Sequence, residues 1–180
     1  MFLKGDKEAY SWIYQNNIQA LYRYGLRFTG NTELIKDCVQ EVFTTLYKNR
    51  KHLPVPENVK VYLFVSLKNN LIRMMQREAI YKDDPESVPF SLEPTVEEQY
   101  IEQETQDIQQ ARLKEILSLL TPRQQEIIYY RYIQELSMDE ICSIMNLNYQ
   151  SAQNLIQRSL KKIRDTHGNS FLSLLFLFFL

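Results

Sequence analysis

Three helix-capping patterns in the second half of the chain constrain its fold more than any other feature. The segment TPRQ at 121–124 places Thr121 at an N-cap, proline at the first helical position and Gln124 at N3, which is a capping box. The segment SMDE at 137–140 is a second capping box, and Asn148 is a residue type that caps a third helix. These signals predict four short helices, over about residues 107–120, 122–134, 138–145 and 149–165.

The first half of the chain is also helical in pattern, and strand signals are almost absent. Apolar residues recur at helical spacing over Tyr10–Phe28, which predicts a helix that ends near Gly30. Asn31 or Thr32 begins a second helix, and a third covers about residues 59–77. The chain is therefore predicted to be all-α. In the third helix we expect five residues to point inward: Val59, Leu63, Leu67, Leu71 and Met74.

Charge divides the chain, although 21 Lys and Arg against 22 Asp and Glu make the whole nearly neutral. Residues 1–82 carry a net charge of +6, residues 83–112 carry −8 and residues 113–180 carry +1. The acidic segment opens with three prolines in ten residues, which is typical of an irregular linker. It serves solubility, or it imitates or repels nucleic acid. We predict two helical domains, over residues 1–82 and 107–168, joined by a flexible acidic linker over residues 83–106. An apolar tail follows over residues 169–180.

The last two predicted helices form a helix-turn-helix around Asn146, a residue that tolerates the left-handed backbone such turns often need. Residues 149–164 contain four basic residues and no acid. Amides can read base edges and cations can hold phosphates, whereas the alternative is a face that is only solvated. The one-sided charge favours DNA binding. The outward face consists of Gln150, Gln153, Asn154, Gln157, Arg158, Lys161 and Arg164, with Lys162 beside it.

The second predicted helix carries acids and amides opposite its apolar stripe. Asp37, Gln40 and Glu41 lie on that polar face, whereas Phe43 and Tyr47 fall on its flank. Exposed aromatic side chains beside acids are typical of a protein interface. In the alternative, a neighbouring helix covers Phe43.

The third predicted helix has a basic and amide-bearing outward face. Asn69, Arg73 and Gln76 share this face, and Lys68 and Arg77 flank it. Such a face suits a nucleic-acid strand, and a solvated surface is an equal alternative.

Motifs of covalent, acid–base or metal chemistry do not occur in the sequence. There is no Gly-rich phosphate loop, GxSxG or HExxH. His52 and His167 have no ligand-spaced partner, while Cys38 and Cys142 each sit on an apolar stripe and form no CxxC. We expect a protein that is not an enzyme, has no cofactor or metal, and works in a reducing cytoplasm.

In three segments the sequence resembles a known family, the RNA polymerase sigma factors of the extracytoplasmic-function type. DCVQEVFTTLY at 37–47 resembles that family's polymerase-binding helix, and VYLFVSLKNNLIRMMQR at 61–77 resembles its −10 helix. Residues 120–164 resemble its −35-binding domain, in which Asn146 replaces the usual turn glycine. The sequence motif YLFxSLKN and the apolar tail resemble those of family members from the Bacteroidetes.

The resemblance implies a promoter-specificity subunit that helps to melt DNA. Its partners would be core RNA polymerase, promoter DNA and an anti-sigma factor, with no small-molecule substrate. The implied polymerase contacts are Asp37, Gln40, Glu41 and Phe43. The implied −10 contacts are His52, Asn58, Lys68, Asn69, Arg73 and Arg77, with 52–58 as the loop that captures a flipped base. The implied −35 contacts are Gln150, Ser151, Asn154, Gln157, Arg158, Lys161, Lys162 and Arg164.

Two other functions remain open from the sequence. A helix-turn-helix regulator without sigma activity explains residues 107–168 but not the two ordered segments before them. An adaptor that binds only proteins would not need the acid-free face at 149–164. The tail SFLSLLFLFFL at 170–180 is too short to span a bilayer. Three alternatives stay open for this apolar segment: packing on the second domain, docking on a partner, or resting on a membrane surface.

Overall fold

The protein is described here by a computed structural model that covers residues 5–51, 58–77, 89–93 and 114–167. Helices are the only regular structure in these ranges, which confirms the predicted all-α class. The chain divides into two compact units, Met1–Asp83 and Asp84–Leu180. The apolar tail, His52 and most of the predicted linker lie outside the described residues.

Three helices that all pack against one another form unit 1: α1 (Lys7–Leu26), α2 (Thr32–Asn49) and α3 (Val59–Arg77). The side chain of Asn31 accepts a hydrogen bond from the Leu34 amide at 3.1 Å, so Asn31 rather than Thr32 is the N-cap of α2. Helix α1 ends before Gly30, because the amide of Phe28 turns back to the carbonyl of Gly25 at 3.0 Å.

The core of unit 1 is built around a close crossing of α1 and α2. A Cβ atom at Gly25 would lie 2.6 Å from Cγ2 of Ile35, so only glycine allows this approach. Next to it the ring of Tyr24 stacks on Phe64, with centroids 4.6 Å apart. Both rings are buried, and they join α1 to α3.

The buried face of α3 is wider than the sequence pattern predicted. Leu63, Leu67 and Leu71 are buried as expected, whereas Val59 and Met74 are only half-buried. Because α3 packs against both α1 and α2, a second row of side chains is enclosed. That row consists of Val61, Phe64 and Met75.

Unit 2 contains a helical segment at 114–118 and three further helices: α4 (Pro122–Ile128), α5 (Met138–Met145) and α6 (Tyr149–His167). Both predicted capping boxes are confirmed, at Thr121 and at Ser137. The predicted helix over 122–134 is present, and its second half, Tyr129–Ile133, is a π-helix rather than an α-helix. There the amide of Gln134 donates to the Tyr129 carbonyl, five residues earlier, at 2.9 Å.

The turn between α5 and α6 is the predicted one. Asn146 adopts the left-handed conformation, with φ 51° and ψ 50°. The side chain of Asn148 accepts a hydrogen bond from the Ser151 amide at 2.8 Å and caps α6. Together these two asparagines fix where α6 begins relative to α5.

One stretch of the predicted linker is packed. Residues 89–93 belong to unit 2, and the side chains of Phe90 and Leu92 are buried there. For these five residues the expectation of a flexible linker is wrong. The physical reason is apolar burial, which the proline-rich and acidic composition around them concealed.

Candidate nucleic-acid and protein interfaces

The outer face of α6 brings together all eight residues that the sequence assigned to the −35 element. Seven of them are exposed, and Asn154 is half-buried. The side-chain amide of Gln150 donates to Oδ1 of Asn154 at 3.1 Å, which links two of these amides one helical turn apart. The exposed residues are Gln150, Ser151, Gln157, Arg158, Lys161, Lys162 and Arg164.

The opposite face of α6 holds the helix in place. Ala152, Ser159 and Ile163 are buried, and α6 packs against both α4 and α5. The buried hydroxyl of Ser159 donates to the Leu155 carbonyl at 2.8 Å, so it leaves no unpaired donor in the interior. The polar face is therefore supported by a well-packed apolar one.

An exposed aromatic residue at the start of α6 was missed by the sequence analysis. Tyr149 is 56% exposed and directly precedes Gln150. Its only sequence signal is its position after Asn148, the cap of the helix. An exposed aromatic ring at this end of the helix can contact thymine methyl groups or sugars.

In unit 1, α2 exposes Asp37, Gln40 and Glu41, as predicted. Phe43 does not join them, since it is only 2% exposed. The ring of Tyr14 from α1 lies 4.7 Å from that of Phe43, and Tyr10 donates from Oη to the Phe43 carbonyl at 3.3 Å. Phe43 as an exposed interface residue is therefore wrong, and the alternative in which a neighbouring helix covers it is correct.

A groove of about 640 Å³ runs between α1 and α2 beside this acidic face. Tyr10, Tyr14 and Gln40 line it, and Tyr14, which is 41% exposed, belongs to α1. Burial, and then the neighbouring Tyr14 and Tyr47 hydroxyls, raise the pKa of Tyr10, which keeps its hydroxyl protonated. Trp12, on the polar side of α1, is 65% exposed and was likewise missed.

Part of the outward face of α3 forms contacts with other residues of unit 1. Nη2 of Arg73 lies 2.8 Å from Oε1 of Glu41, and the same nitrogen donates to Oδ1 of Asn70 at 2.9 Å. Both charged side chains are 46% exposed. The structure thus pairs a predicted promoter residue on α3 with a predicted polymerase residue on α2.

The other predicted −10 residues differ in exposure. Asn69 and Arg77 are exposed, and Lys68 is half-buried. Asn58 has a structural task, because its Oδ1 accepts a hydrogen bond from the Lys60 amide at 2.9 Å and caps α3. Asn58 therefore fixes the point at which α3 begins.

Neither cysteine is placed for nucleophilic chemistry. Cys38 is buried and Cys142 is half-buried. Burial, and then the carboxylate of Asp139, raise the pKa of the Cys142 thiol, which disfavours the reactive thiolate. Within the described ranges no group of three His, Cys, Asp or Glu side chains is arranged to hold a metal ion. No helix there is both long and apolar enough to cross a membrane.

Comparison with known proteins identifies the family of this chain. Over the described residues the fold is all-helical and contains a helix-turn-helix, an arrangement typical of DNA-binding proteins. The family model described as Sigma-70 region 2 matches residues 13–80, and that described as Sigma-70, region 4 matches residues 110–163. The chain belongs to the sigma-70 family, in the extracytoplasmic-function type, whose members direct RNA polymerase to promoters.

Individual relatives are distant in sequence. The chain is 20% identical over 158 residues to RNA polymerase sigma factor YlaC of Bacillus subtilis (strain 168). The match covers 88% of this chain and 91% of that protein. Its fold is similar to that of CnrH in complex with the cytosolic domain of CnrY, with a TM-score of 0.60, 16% identity and coverage of 92% and 91% of the two chains. It is also similar to that of the sigma factor RpoE in complex with the anti-sigma factor NepR from Bartonella quintana. For this pair the TM-score is 0.60, the sequence identity is 16%, and the match covers 88% of this chain and 96% of that chain.

Proposed function

We propose that this protein is a promoter-specificity subunit in which unit 2 reads the −35 element through α6. The observation that carries this is the face of α6, which presents amides and four cations with no acid between residues 149 and 164. Gln150, Asn154 and Gln157 offer the donors and acceptors that base edges require. Lys161, Lys162 and Arg164 hold phosphates, while Ser151 and Arg158 complete the base-reading end.

We infer that unit 1 binds core polymerase through the exposed face of α2. Asp37, Gln40 and Glu41 supply acids and an amide beside the aromatic groove, a combination that suits a basic helical partner. Phe43 supports this face from beneath, because it holds α2 against the tyrosines of α1.

Promoter melting is assigned to α3 and to the loop before it. Asn69 and Arg77 are exposed for strand contacts, with Lys68 beside them and Arg73 available when its pairing with Glu41 opens. Asn58 anchors the loop that would capture a flipped base, and His52 in that loop lies outside the described residues. A flipped base costs a few kcal/mol, least at easily unstacked steps.

The protein acts by binding, in the cytoplasm, without catalysis or cofactor. Core RNA polymerase and promoter DNA are its proposed partners, together with an anti-sigma factor. The last partner is supported by the two solved relatives, which were determined with CnrY and with NepR.

Transcription from genomic DNA by purified core polymerase tests the proposal. We expect specific transcripts only when the protein is added, and we expect their start sites to share two upstream sequence elements. A helix-turn-helix regulator would instead bind DNA alone and give no dependence of core initiation on its presence. An adaptor that binds only proteins would give neither result.

A further inference from the structure

Charge is distributed unevenly along α6. Its first nine residues, 149–157, contain no charged side chain. Its four cations follow at Arg158, Lys161, Lys162 and Arg164. At 1.5 Å per residue the uncharged part is about 12 Å long, which is close to the width of the major groove of B-DNA. Because the N-terminal residues of the second helix of a helix-turn-helix contact base edges, the part of α6 that faces bases is polar but uncharged.

The type of side chain decides which base can be recognised. Guanine presents two acceptors in the major groove, N7 and O6, and arginine or lysine is the usual side chain that donates to both. Adenine presents an acceptor at N7 and a donor at N6, which a side-chain amide matches with its N–H and its oxygen. Three exposed glutamines lie in the uncharged part of α6: Gln150, Gln153 and Gln157. This composition favours adenine over guanine.

A hydrogen bond between two amides of this part sharpens the preference. Nε2 of Gln150 donates to Oδ1 of Asn154 at 3.1 Å. Because this bond uses a donor of Gln150 and an acceptor of Asn154, it leaves Oε1 of Gln150 and Nδ2 of Asn154 for an external partner. An acceptor beside a donor complements N6 and N7 of adenine. With guanine, the same oxygen would face the acceptor O6, so the pair disfavours guanine by repulsion.

The ring of Tyr149 adds an apolar surface at the same end of α6. It is 56% exposed, and Gln153, one helical turn further on, is exposed as well. Thymine is the one standard base with a methyl group in the major groove, and apolar side chains recognise it by contact with that group. An aromatic ring beside amides thus matches both bases of an A·T pair.

We propose that residues 149–157 of α6 read A·T base pairs, so that the promoters of this protein carry an upstream element with an A·T core. The pair of Gln150 and Asn154 recognises adenine, and Tyr149 contacts a thymine methyl group. Arg158, the first cation, is the one side chain of this end that is suited to guanine. This inference rests on the proposed function and deepens it, because it names the base pairs that α6 selects.

Promoter selection by core polymerase carrying the full-length protein tests the inference. The upstream element of a promoter found by genomic transcription is randomised, and the bound molecules are sequenced for the wild type and for Gln150→Arg. We expect the wild type to select a run of A·T pairs. Gln150→Arg should replace one selected adenine by guanine, because arginine donates to both guanine acceptors. At that position the wild type should prefer adenine by roughly 5- to 150-fold.

Lys162→Ala is the matched control, because it removes an exposed cation from the phosphate-contacting end of the same helix. It should weaken binding to all sequences about equally and leave the selected sequence unchanged. Each substitution changes an exposed side chain, so the variants should fold, and thermal melting checks this.

The contact of Tyr149 has its own readout. Uracil in place of thymine in the selected element removes only the methyl group, and it should weaken wild-type binding about fourfold. Tyr149→Ala should bind the uracil and thymine duplexes equally, whereas Tyr149→Phe should behave like the wild type. Equal sensitivity of Tyr149→Ala and the wild type to uracil would overturn the role of Tyr149.

Two results would overturn the A·T preference while the proposed function stands. One is selection of G·C pairs across the upstream element. The other is a Gln150→Arg variant that selects the same sequence as the wild type. If polymerase with the wild-type protein selects no upstream element at all, the proposed function fails, and the inference fails with it.

Discussion

The nucleic-acid face of unit 2 and that of unit 1 differ in how their charges are arranged. Four cations on α6 have no acid among the residues between them. Arg73 on α3, by contrast, lies 2.8 Å from Glu41 of α2. A phosphate therefore competes with a paired carboxylate at unit 1, whereas the one acid of α6, Asp165, comes after the last of its four cations and leaves the N-terminal part of that face without a carboxylate.

This difference affects how readily each proposed face would meet a phosphate. Salt-dependent attraction to DNA depends on the number of phosphates that a protein's cations neutralise. The face of α6 is ready for this contact as it stands. Arg73 becomes fully available to a strand only when Glu41 takes another partner, and the proposed polymerase surface includes Glu41.

Loss of base contacts on α6 should have the largest effect on promoter binding. Gln157→Ala and Arg158→Ala, each exposed, should weaken binding at the −35 element by about 1–3 kcal/mol for each lost contact. Binding of the polymerase complex to promoter fragments with and without that element measures the loss. Lys114→Ala, which removes a cation from another segment of unit 2, is the control. Unchanged dependence on the −35 element in the double variant would show that α6 does not read it.

Truncation of Phe43 distinguishes a core residue from an interface residue. Because its ring is buried against Tyr10 and Tyr14, Phe43→Ala should lower the free energy of unfolding by about 3–5 kcal/mol. Thr44→Ala, at the exposed neighbouring position, should change it by less than about 0.5 kcal/mol. Denaturant titration measures both. A stable Phe43→Ala variant with weakened polymerase binding would restore Phe43 to the interface.

Charge reversal on α2 tests the polymerase surface. Asp37→Arg, alone and with Glu41→Arg, should leave folding intact, because both side chains are exposed. Affinity for core polymerase should fall by several kcal/mol through like-charge contact at the interface. Glu115→Arg makes the same change on unit 2 and should bind core normally. A folded double variant with wild-type affinity in a pull-down would remove α2 from the interface.

The pairing of Arg73 with Glu41 should contribute least to stability. Each side chain is 46% exposed, and exposed ion pairs contribute about 0.2–1 kcal/mol. A double-mutant cycle with Arg73→Ala and Glu41→Ala, measured by denaturant unfolding, should give a coupling in that range. A coupling well above it would mean that the pairing holds α2 to α3 and is not readily exchanged for a ligand.

The features that sequence predicted well are local ones. Thr121, Ser137 and Asn148 cap helices through contacts within three residues, and Asn146 is a residue type that tolerates the left-handed backbone found there. The polar face of α6 follows from helical spacing alone. Each of these depends on neighbours in the sequence, so the order of residues is sufficient to predict it.

The features that sequence missed depend on contacts between distant residues. Phe43 is covered by tyrosines 29 and 33 positions earlier in the chain, and Arg73 meets Glu41 across 32 positions. The amide of Leu92 donates to the side chain of Gln125, which is 33 positions further along the chain. No local pattern reveals these contacts, because they depend on how segments far apart in the sequence pack together.

Footprinting of the promoter complex most directly tests the central claim, that the two units read two separate elements. Polymerase with the wild-type protein should protect the −35 element and show permanganate-reactive thymines near −10. The double variant Gln157→Ala with Arg158→Ala should lose −35 protection. Asn69→Ala should keep that protection and lose permanganate reactivity. If Asn69→Ala opens the strand normally, or if either variant loses both signals together while remaining folded, the assignment of one element to each unit is contradicted.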